Sequence, residues 1–364
     1  MQDSRELIGN LLRGKSAERV GLAENIWPQT LERWIGEGYP TTADGKPVDP
    51  AVHFSFDMGG AVLPFDVMPL RGRSEVIQES EEWVIRRNGA GAAHKRWKKR
   101  AGVPEHIDFR MTSRQAWERD YRRPLLALDR ARLKIDQARQ SLQTRRAQGK
   151  FALASQLFVW ENMRQSMGDV CLYESLLDDP DWIRDYNRVH TDFFQAHYRV
   201  VFEEAGRPDG FRMCEDLGYR GGLFCSPRML EELIFPYFKE MIDFFHSFDI
   251  PIFLHSCGNV TAALDLIAAA GFDGLDPMEF KAGCRPLEFA DKVGDRLVLR
   301  GGLDVRVLES GDRALIRREA AALIEGMKAR GVRYIFGSDH SISTNVSYPA
   351  YQYALEVYRE RMMY

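Results

Sequence analysis

What this chain lacks narrows its function first. No apolar run approaches the roughly 20 residues of a membrane-spanning helix, so no membrane span is expected. There is no excess of positive charge: 50 Lys and Arg stand against 53 Asp and Glu, a net charge of −3. Phosphate backbones demand a basic surface, so nucleic acid is not an expected partner. The opening Met1-Gln-Asp-Ser-Arg-Glu lacks the basic-then-apolar layout of a signal peptide, and cytoplasm is the expected compartment. The five cysteines, Cys171, Cys214, Cys225, Cys257 and Cys284, are odd in number and form no CxxC pair. That favours free thiols over a disulfide framework, a zinc ribbon or a thioredoxin-like site. Gly301-Gly302 permits close backbone approach to a ligand but fits no dinucleotide fingerprint, and no GxxxxGK[ST] loop occurs. Ser256 lacks the G-x-S-x-G frame of a serine hydrolase.

What remains is a globular chain with ample core, 45% hydrophobic and 28% charged over 364 residues. In the C-terminal half, short apolar runs end near Asp216, His255, Asp276, Gly301 and Gly337, each followed by Gly, Asp or Ser. Between them lie helical periods: 227–246, 260–270 stopping at Gly271, 312–330 stopping at Gly331, and a last helix from Pro349 to about Met362. Strands alternating with helices imply a buried parallel sheet. Five such units in about 150 residues predict an α/β fold, a (β/α)8 TIM barrel. The chain is expected to be one domain, with residues 1–150 an irregular N-terminal elaboration.

Within that elaboration, Trp27–Trp34 reads as a helix start and 52–57 (Val-His-Phe-Ser-Phe-Asp) as a strand ending in an acid. Residues 75–87 read as a hairpin arm ending at the Asn88-Gly89 turn. The basic stretch 94–100 and the highly charged helix 130–150 read as solvated, and 151–160 as another buried strand. Trp27, Trp34, Phe54, Phe56 and Trp160 are aromatic residues that serve as core or as pocket walls.

Three clusters fall at the carboxyl ends of predicted strands: His255-Ser-Cys257, Asp276-Pro-Met-Glu279 and Gly337-Ser-Asp339-His340-Ser341. In a barrel they converge on one mouth. A thiolate, an imidazole and a carboxylate around one point suit zinc, which in catalytic sites takes three protein ligands and keeps a position open. The expected set is His255, Cys257 and His340, with Glu279 as a fourth or exchangeable ligand. Against it stands the plainer alternative that the cysteine is a small hydrophobe and the histidine a hydrogen-bonded core residue. Asp216 and Asp304 are strand-end acids suited to general acid–base work, although Asp304 equally suits a helix cap.

The segments Asp216-Leu-Gly-Tyr-Arg-Gly-Gly-Leu-Phe-Cys-Ser-Pro227, Leu254-His-Ser-Cys-Gly-Asn259, Gly301-Gly-Leu-Asp304 and Gly337-Ser-Asp-His-Ser-Ile342 resemble the uroporphyrinogen decarboxylase (URO-D) superfamily. The resemblance covers residues from about 150 to the end; before that it is looser, mainly in residues 82–89. It implies a (β/α)8 barrel and one of two chemistries. The decarboxylase branch grips substrate carboxylates with an N-terminal Arg-Gln-Ala-Gly-Arg motif, where this chain reads Asn25-Ile-Trp-Pro-Gln-Thr-Leu-Glu-Arg-Trp34. Asp57 is the candidate match for that branch's catalytic aspartate, and His340 resembles its C-terminal histidine. The cobamide-dependent methyltransferase branch binds zinc through the His and Cys of a His-x-Cys-Gly motif and a later cysteine. His255 and Cys257 match the first two, and His340 stands at the third position.

The resemblance therefore implies a Zn2+-dependent methyltransferase or O-demethylase, passing a methyl group between a small-molecule donor or acceptor and a corrinoid on a partner protein. Asp216, Asp304, Asp339 and Asp57 are the candidate catalytic acids. A decarboxylase acting on a tetrapyrrole or other carboxylated substrate, and a non-catalytic tetrapyrrole- or corrinoid-binding barrel, are the alternatives. A homodimer is also implied.

Overall fold

A computed structural model describes residues 2–99 and 104–364. Eight parallel strands follow one another around a barrel: β1 (Gly21–Leu22), β2 (Met58–Ala61), β3 (Phe151–Leu157), β4 (Gly210–Cys214), β5 (Ile252–His255), β6 (Gly274–Asp276), β7 (Val298–Arg300) and β8 (Tyr334–Phe336). From β2 to β8 each pairs with its neighbour in sequence, and β1 pairs with β8. Between β1 and β2, closure comes from two bonds: the Asp57 amide donates to the Leu22 carbonyl (2.8 Å), and the Leu22 amide donates to Asp57 Oδ2 (2.8 Å). This is the (β/α)8 barrel expected from the alternation of strands and helices. No helix among the described residues is long and apolar enough to cross a membrane.

The two-residue side-chain period of a strand sorts the barrel interior into layers. At the bottom, Met58, Phe151, Leu153, Phe253, Val298 and Ile335 form an apolar layer. The helix Ser4–Leu12 plugs it with Leu7, Ile8, Leu11 and Leu12, all nearly inaccessible. Two residues further along the same strands, Phe253 gives way to His255 and Val298 to Arg300. The inward side therefore turns polar at the top. Gly274 pairs with Phe253 across the β5–β6 ladder, and a Cβ there would come within 2.4 Å of the Phe253 ring. The glycine is what lets that ring fill the barrel.

Outer helices follow the predicted amphipathic pattern. Arg313–Ala329, capped by the Asp312 carboxylate, buries Ile316, Ala320, Leu323, Ile324 and Met327. The single helix expected over 227–246 is two, Pro227–Leu233 and Phe235–His246. Pro236 has no amide hydrogen to carry the helical ladder through this point.

The N-terminal part departs further from expectation. Two of the eight barrel strands lie within residues 1–150, and the excursion runs between β2 and β3. Residues 52–57 do not form a strand: Pro50–His53 is a helical turn, and Asp57 precedes β2 instead of ending it. Residues 75–87 are not one arm but two, Ser74–Glu79 and Trp83–Asn88, and Asn88-Gly89 opens the next turn toward Ala93–Trp97. With Glu105–Asp108 these make a four-stranded antiparallel sheet. In the basic stretch, His94 and Lys95 are half-buried, while Arg100 lies outside the described residues. The charged helix is Ile135–Ala147, which buries only Ala138 and Leu142.

Candidate metal centre at the barrel mouth

His255 ends β5, and its chain then turns through Ser256 and Cys257 to Gly258. Gly258 adopts φ +82°, and a Cβ there would sit 2.2 Å from the Gly218 carbonyl carbon. Only glycine fits this crossing of two loops, and the crossing turns Cys257 back over the strand end. Ser256 secures it by accepting the Leu217 amide on Oγ (2.9 Å).

The turn brings three potential ligand atoms together. His255 Nε2 lies 3.5 Å from Cys257 Sγ and 4.0 Å from Asp216 Oδ1. All three ligand atoms fall within 4.8 Å of one another, and no other such group of three occurs among the described residues. Asp216 Oδ1 also accepts the Cys257 amide (2.8 Å), which locks the two loops in register. Zinc bonds of about 2.3 Å to sulfur and about 2.0 Å to nitrogen, at a tetrahedral angle, separate those atoms by about 3.5 Å. The sulfur–nitrogen spacing found here fits the ion.

Behind the imidazole stands Asp276, whose Oδ1 accepts from His255 Nδ1 at 2.6 Å. This leaves the Nε2 lone pair facing the thiol and Asp216, the usual arrangement behind a metal-binding histidine. Asp276 Oδ2 accepts from Arg300 (2.7 Å), and Arg212 lies 3.7 Å from Oδ1. Burial opposes ionisation of Asp276, but the two guanidinium groups and the His255 bond outweigh it and hold the carboxyl well below its usual range. Cys257 shows the opposite balance. Burial, then the carboxylates of Asp216, Glu279 and Asp276, push its thiol far up. A cation among the three ligands reverses that balance, because a coordinated thiol is deprotonated.

Two cavities meet at His255. The inner one, about 110 Å3, is lined by Cys257, Glu24, Arg300 and His340 among others. The outer one, about 520 Å3, is bounded by Asp216, Cys214, Glu161 and Arg164, and is roofed by His94 and His106 of the N-terminal sheet.

The other expected site residues are distributed differently. His340 lines the inner cavity but is not in the three-ligand group, where Asp216 takes its place. Glu279 supports the turn: its Oε2 accepts the Gly258 amide (2.7 Å), and Lys281 lies 3.4 Å from its Oε1. Asp339 is fully buried and accepts the amides of Val305 and Phe280, both at 2.8 Å, tying three mouth loops together. Burial pushes its carboxyl up to about 6. Asp304 caps the helix Val305–Glu309 and pairs with Arg306 (2.6 Å), so the capping alternative describes it. Asp57 lies at the opposite end of the barrel, clamped by Arg19 (2.6 Å) and Ser4 (2.8 Å). There it joins β1 to β2 and takes no part in the mouth.

Residues the sequence did not flag also face the cavities. Glu24 follows β1, and burial, against hydrogen bonds from Ser338 and Asn25, pushes its carboxyl up to about 7. Glu161 is raised to about 7 by burial, against the pull of Arg164. An isolated acid beside apolar residues was the only sequence signal for either one. Of the cysteines, Cys284 is buried against the Gly258 carbonyl, and Cys214 borders the outer cavity.

Residues 216–361 match the family model described as Uroporphyrinogen decarboxylase (URO-D). A solved structure of a methyltransferase from Methanosarcina mazei superposes with a TM-score of 0.70 at 14% identity, covering 99% of both chains. An intracellular xylanase from Thermoanaerobacterium saccharolyticum aligns at a TM-score of 0.37 and 13% identity, over 63% of this chain and 83% of its own. No curated protein matches the sequence.

Proposed function

We propose that this chain is a URO-D-superfamily methyltransferase or demethylase that uses zinc and exchanges a methyl group with a corrinoid carried by a partner protein. The observation that supports it is the convergence of Asp216, His255 and Cys257, with Asp276 behind the imidazole. These three residues would hold the ion. When bound, zinc supplies positive charge that lowers the pKa of a substrate heteroatom brought against it. Asp276 fixes the ring of His255, and Arg300 neutralises Asp276 so that the buried carboxylate adds no net negative charge. Asp216 and Cys257 are held together by their shared hydrogen bond. The inner cavity is small beside the roughly 300–1,000 Å3 of ordinary ligand pockets, so only a small reacting head reaches Cys257. The larger outer cavity takes the body of the substrate, with His94 and His106 of the N-terminal sheet on its wall.

Decarboxylation is the second reading. Arg300 in the inner cavity favours it, as a group able to hold a carboxylate, but Asp276 already occupies that guanidinium. The position of Asp57 at the far end of the barrel weighs against it.

Metal analysis of the purified protein and of His255→Ala, Cys257→Ala and Asp216→Ala tests the proposal. One zinc per chain, lost in each variant, is expected, together with methyl transfer to a reduced corrinoid that a chelator abolishes. A folded protein that binds no zinc would overturn it. Uroporphyrinogen turnover in chelator would select the decarboxylase reading, and corrinoid binding without turnover the non-catalytic one.

A further inference from the structure

A third cavity, also polar, lies at the opposite end of the barrel, where the loops enter β3, β4 and β5. Its volume is about 340 Å3, and four arginines from separate segments border it: Arg5, Arg13, Arg146 and Arg207. Two carboxylates accompany them, Asp209 and Asp249, so four positive charges face two negative ones. In a chain of net charge −3 this is a local reversal of sign.

The two carboxylates are already engaged. Asp209 accepts from Arg5 in fork geometry (2.6 and 3.0 Å) and also takes the Ala152 amide (2.9 Å). Asp249 accepts from Arg13 (3.1 Å). The other two arginines have no acidic partner among the described residues. One nitrogen of Arg146 donates to the Arg207 carbonyl (2.6 Å), and one nitrogen of Arg207 donates to the Phe248 carbonyl (3.0 Å). Both side chains are exposed, and each makes a single hydrogen bond to a carbonyl, which leaves further N–H donors free to face a ligand. The Arg207 guanidinium also lies 5.8 Å from the centre of the Phe248 ring, which forms part of the cavity wall. The planar forks of guanidinium groups match the oxygens of tetrahedral oxyanions.

We propose that this cavity binds a small solute bearing a phosphate or pyrophosphate group, with Arg146 and Arg207 as its principal ligands. The volume exceeds what a lone ion needs and falls at the lower end of small-molecule pockets, roughly 300–1,000 Å3. A multiply charged group is favoured because it offsets both excess positive charges. The site is independent of the chemistry at the barrel mouth.

Calorimetric titration of the full chain with pyrophosphate, inorganic phosphate and acetate tests this. Saturable binding of pyrophosphate and phosphate, but not acetate, is expected, weakening as salt is raised. Arg146→Ala/Arg207→Ala should weaken it at least tenfold. Arg146→Lys/Arg207→Lys, which keeps the charge and loses the fork, should fall between the two and guards against a folding defect in the alanine pair. Vesicles carrying anionic phospholipid form a further arm: retention of the chain on vesicles, with no binding of the free anions, would overturn the proposal in favour of a lipid surface. Absence of pyrophosphate binding at millimolar concentration, equal binding of acetate, or unchanged affinity in both double variants would likewise overturn it.

Discussion

Asp276 Oδ1 lies 2.6 Å from His255 Nδ1, while the other oxygen of the same carboxylate holds Arg300 at 2.7 Å. One buried acid thereby fixes the orientation of the imidazole and anchors a cation. Asp276→Asn keeps the shape and removes the charge. Outer-shell partners of this kind affect metal affinity by roughly 10–100-fold. A loss of that size is expected in a zinc competition titration, with the fold retained by circular dichroism. Unchanged affinity would show that Asp276 serves only the barrel core.

The distinction between Asp216 and His340 is equally testable. Asp216→Ala should abolish stoichiometric zinc, whereas His340→Ala should keep it within a few-fold of the parent. The reverse result would restore the ligand set expected from sequence. Equilibrium dialysis with metal quantification reads both.

Asp57 should behave as a structural residue. It is fully buried, accepts two hydrogen bonds from Arg19 and closes the barrel between β1 and β2. Removing one partner of a buried ion pair typically costs about 3–5 kcal/mol. Asp57→Ala should therefore lower the denaturation midpoint substantially, while the folded fraction retains its zinc. Loss of metal at unchanged stability would contradict this assignment.

Glu24 should leave a signature in the pH dependence of stability. Its carboxyl is raised from 4.5 to about 7 in the fold by burial. A raised acid holds its proton more tightly when folded, so its contribution is fully present below pH 4.5 and is lost as pH rises through 7. The effect amounts to at most about 3 kcal/mol. Glu24→Gln has no such proton to lose. Its stability relative to the parent should improve between pH 4.5 and 7.5, whatever constant cost the amide imposes, and urea denaturation across that range measures the slope. A flat difference would place the carboxyl in its ordinary range.

Gly258→Ala should disrupt the turn. The new Cβ would fall 2.2–2.5 Å from backbone atoms of Gly218 and Tyr219, at a positive φ that alanine resists. Zinc affinity should fall along with thermal stability, as measured by differential scanning calorimetry with and without added zinc.

The barrel was legible in the sequence because its C-terminal units repeat a local pattern. Each short apolar run, from residue 210 to Phe336, is punctuated by glycine or acid, and each became a strand within two residues of its expected bounds; the helices between them were less exact, the one expected over 227–246 being two. His255 and Cys257 stood out for the same reason: both lie on one turn, next to a glycine that the turn requires. The N-terminal half offered no such repetition. β1 spans two residues, and β2, Met-Gly-Gly-Ala, carries little β propensity, so pairing with neighbours far along the chain makes them strands.

The composition of the site was a tertiary matter. Nothing local to Asp216 distinguishes it from Asp304; the first meets Cys257 because β4 pairs with β5, and the second meets Arg306 on its own helix. Likewise Asp57 and Asp276 are both buried acids beside a strand, at opposite ends of the barrel. The sequence by itself determined that this chain would build a barrel with a histidine and a thiol at its mouth. Strand order and the crossing of Gly258 over Gly218 decided which carboxylate joins them, because ligand geometry depends on distances between segments that sequence spacing does not specify.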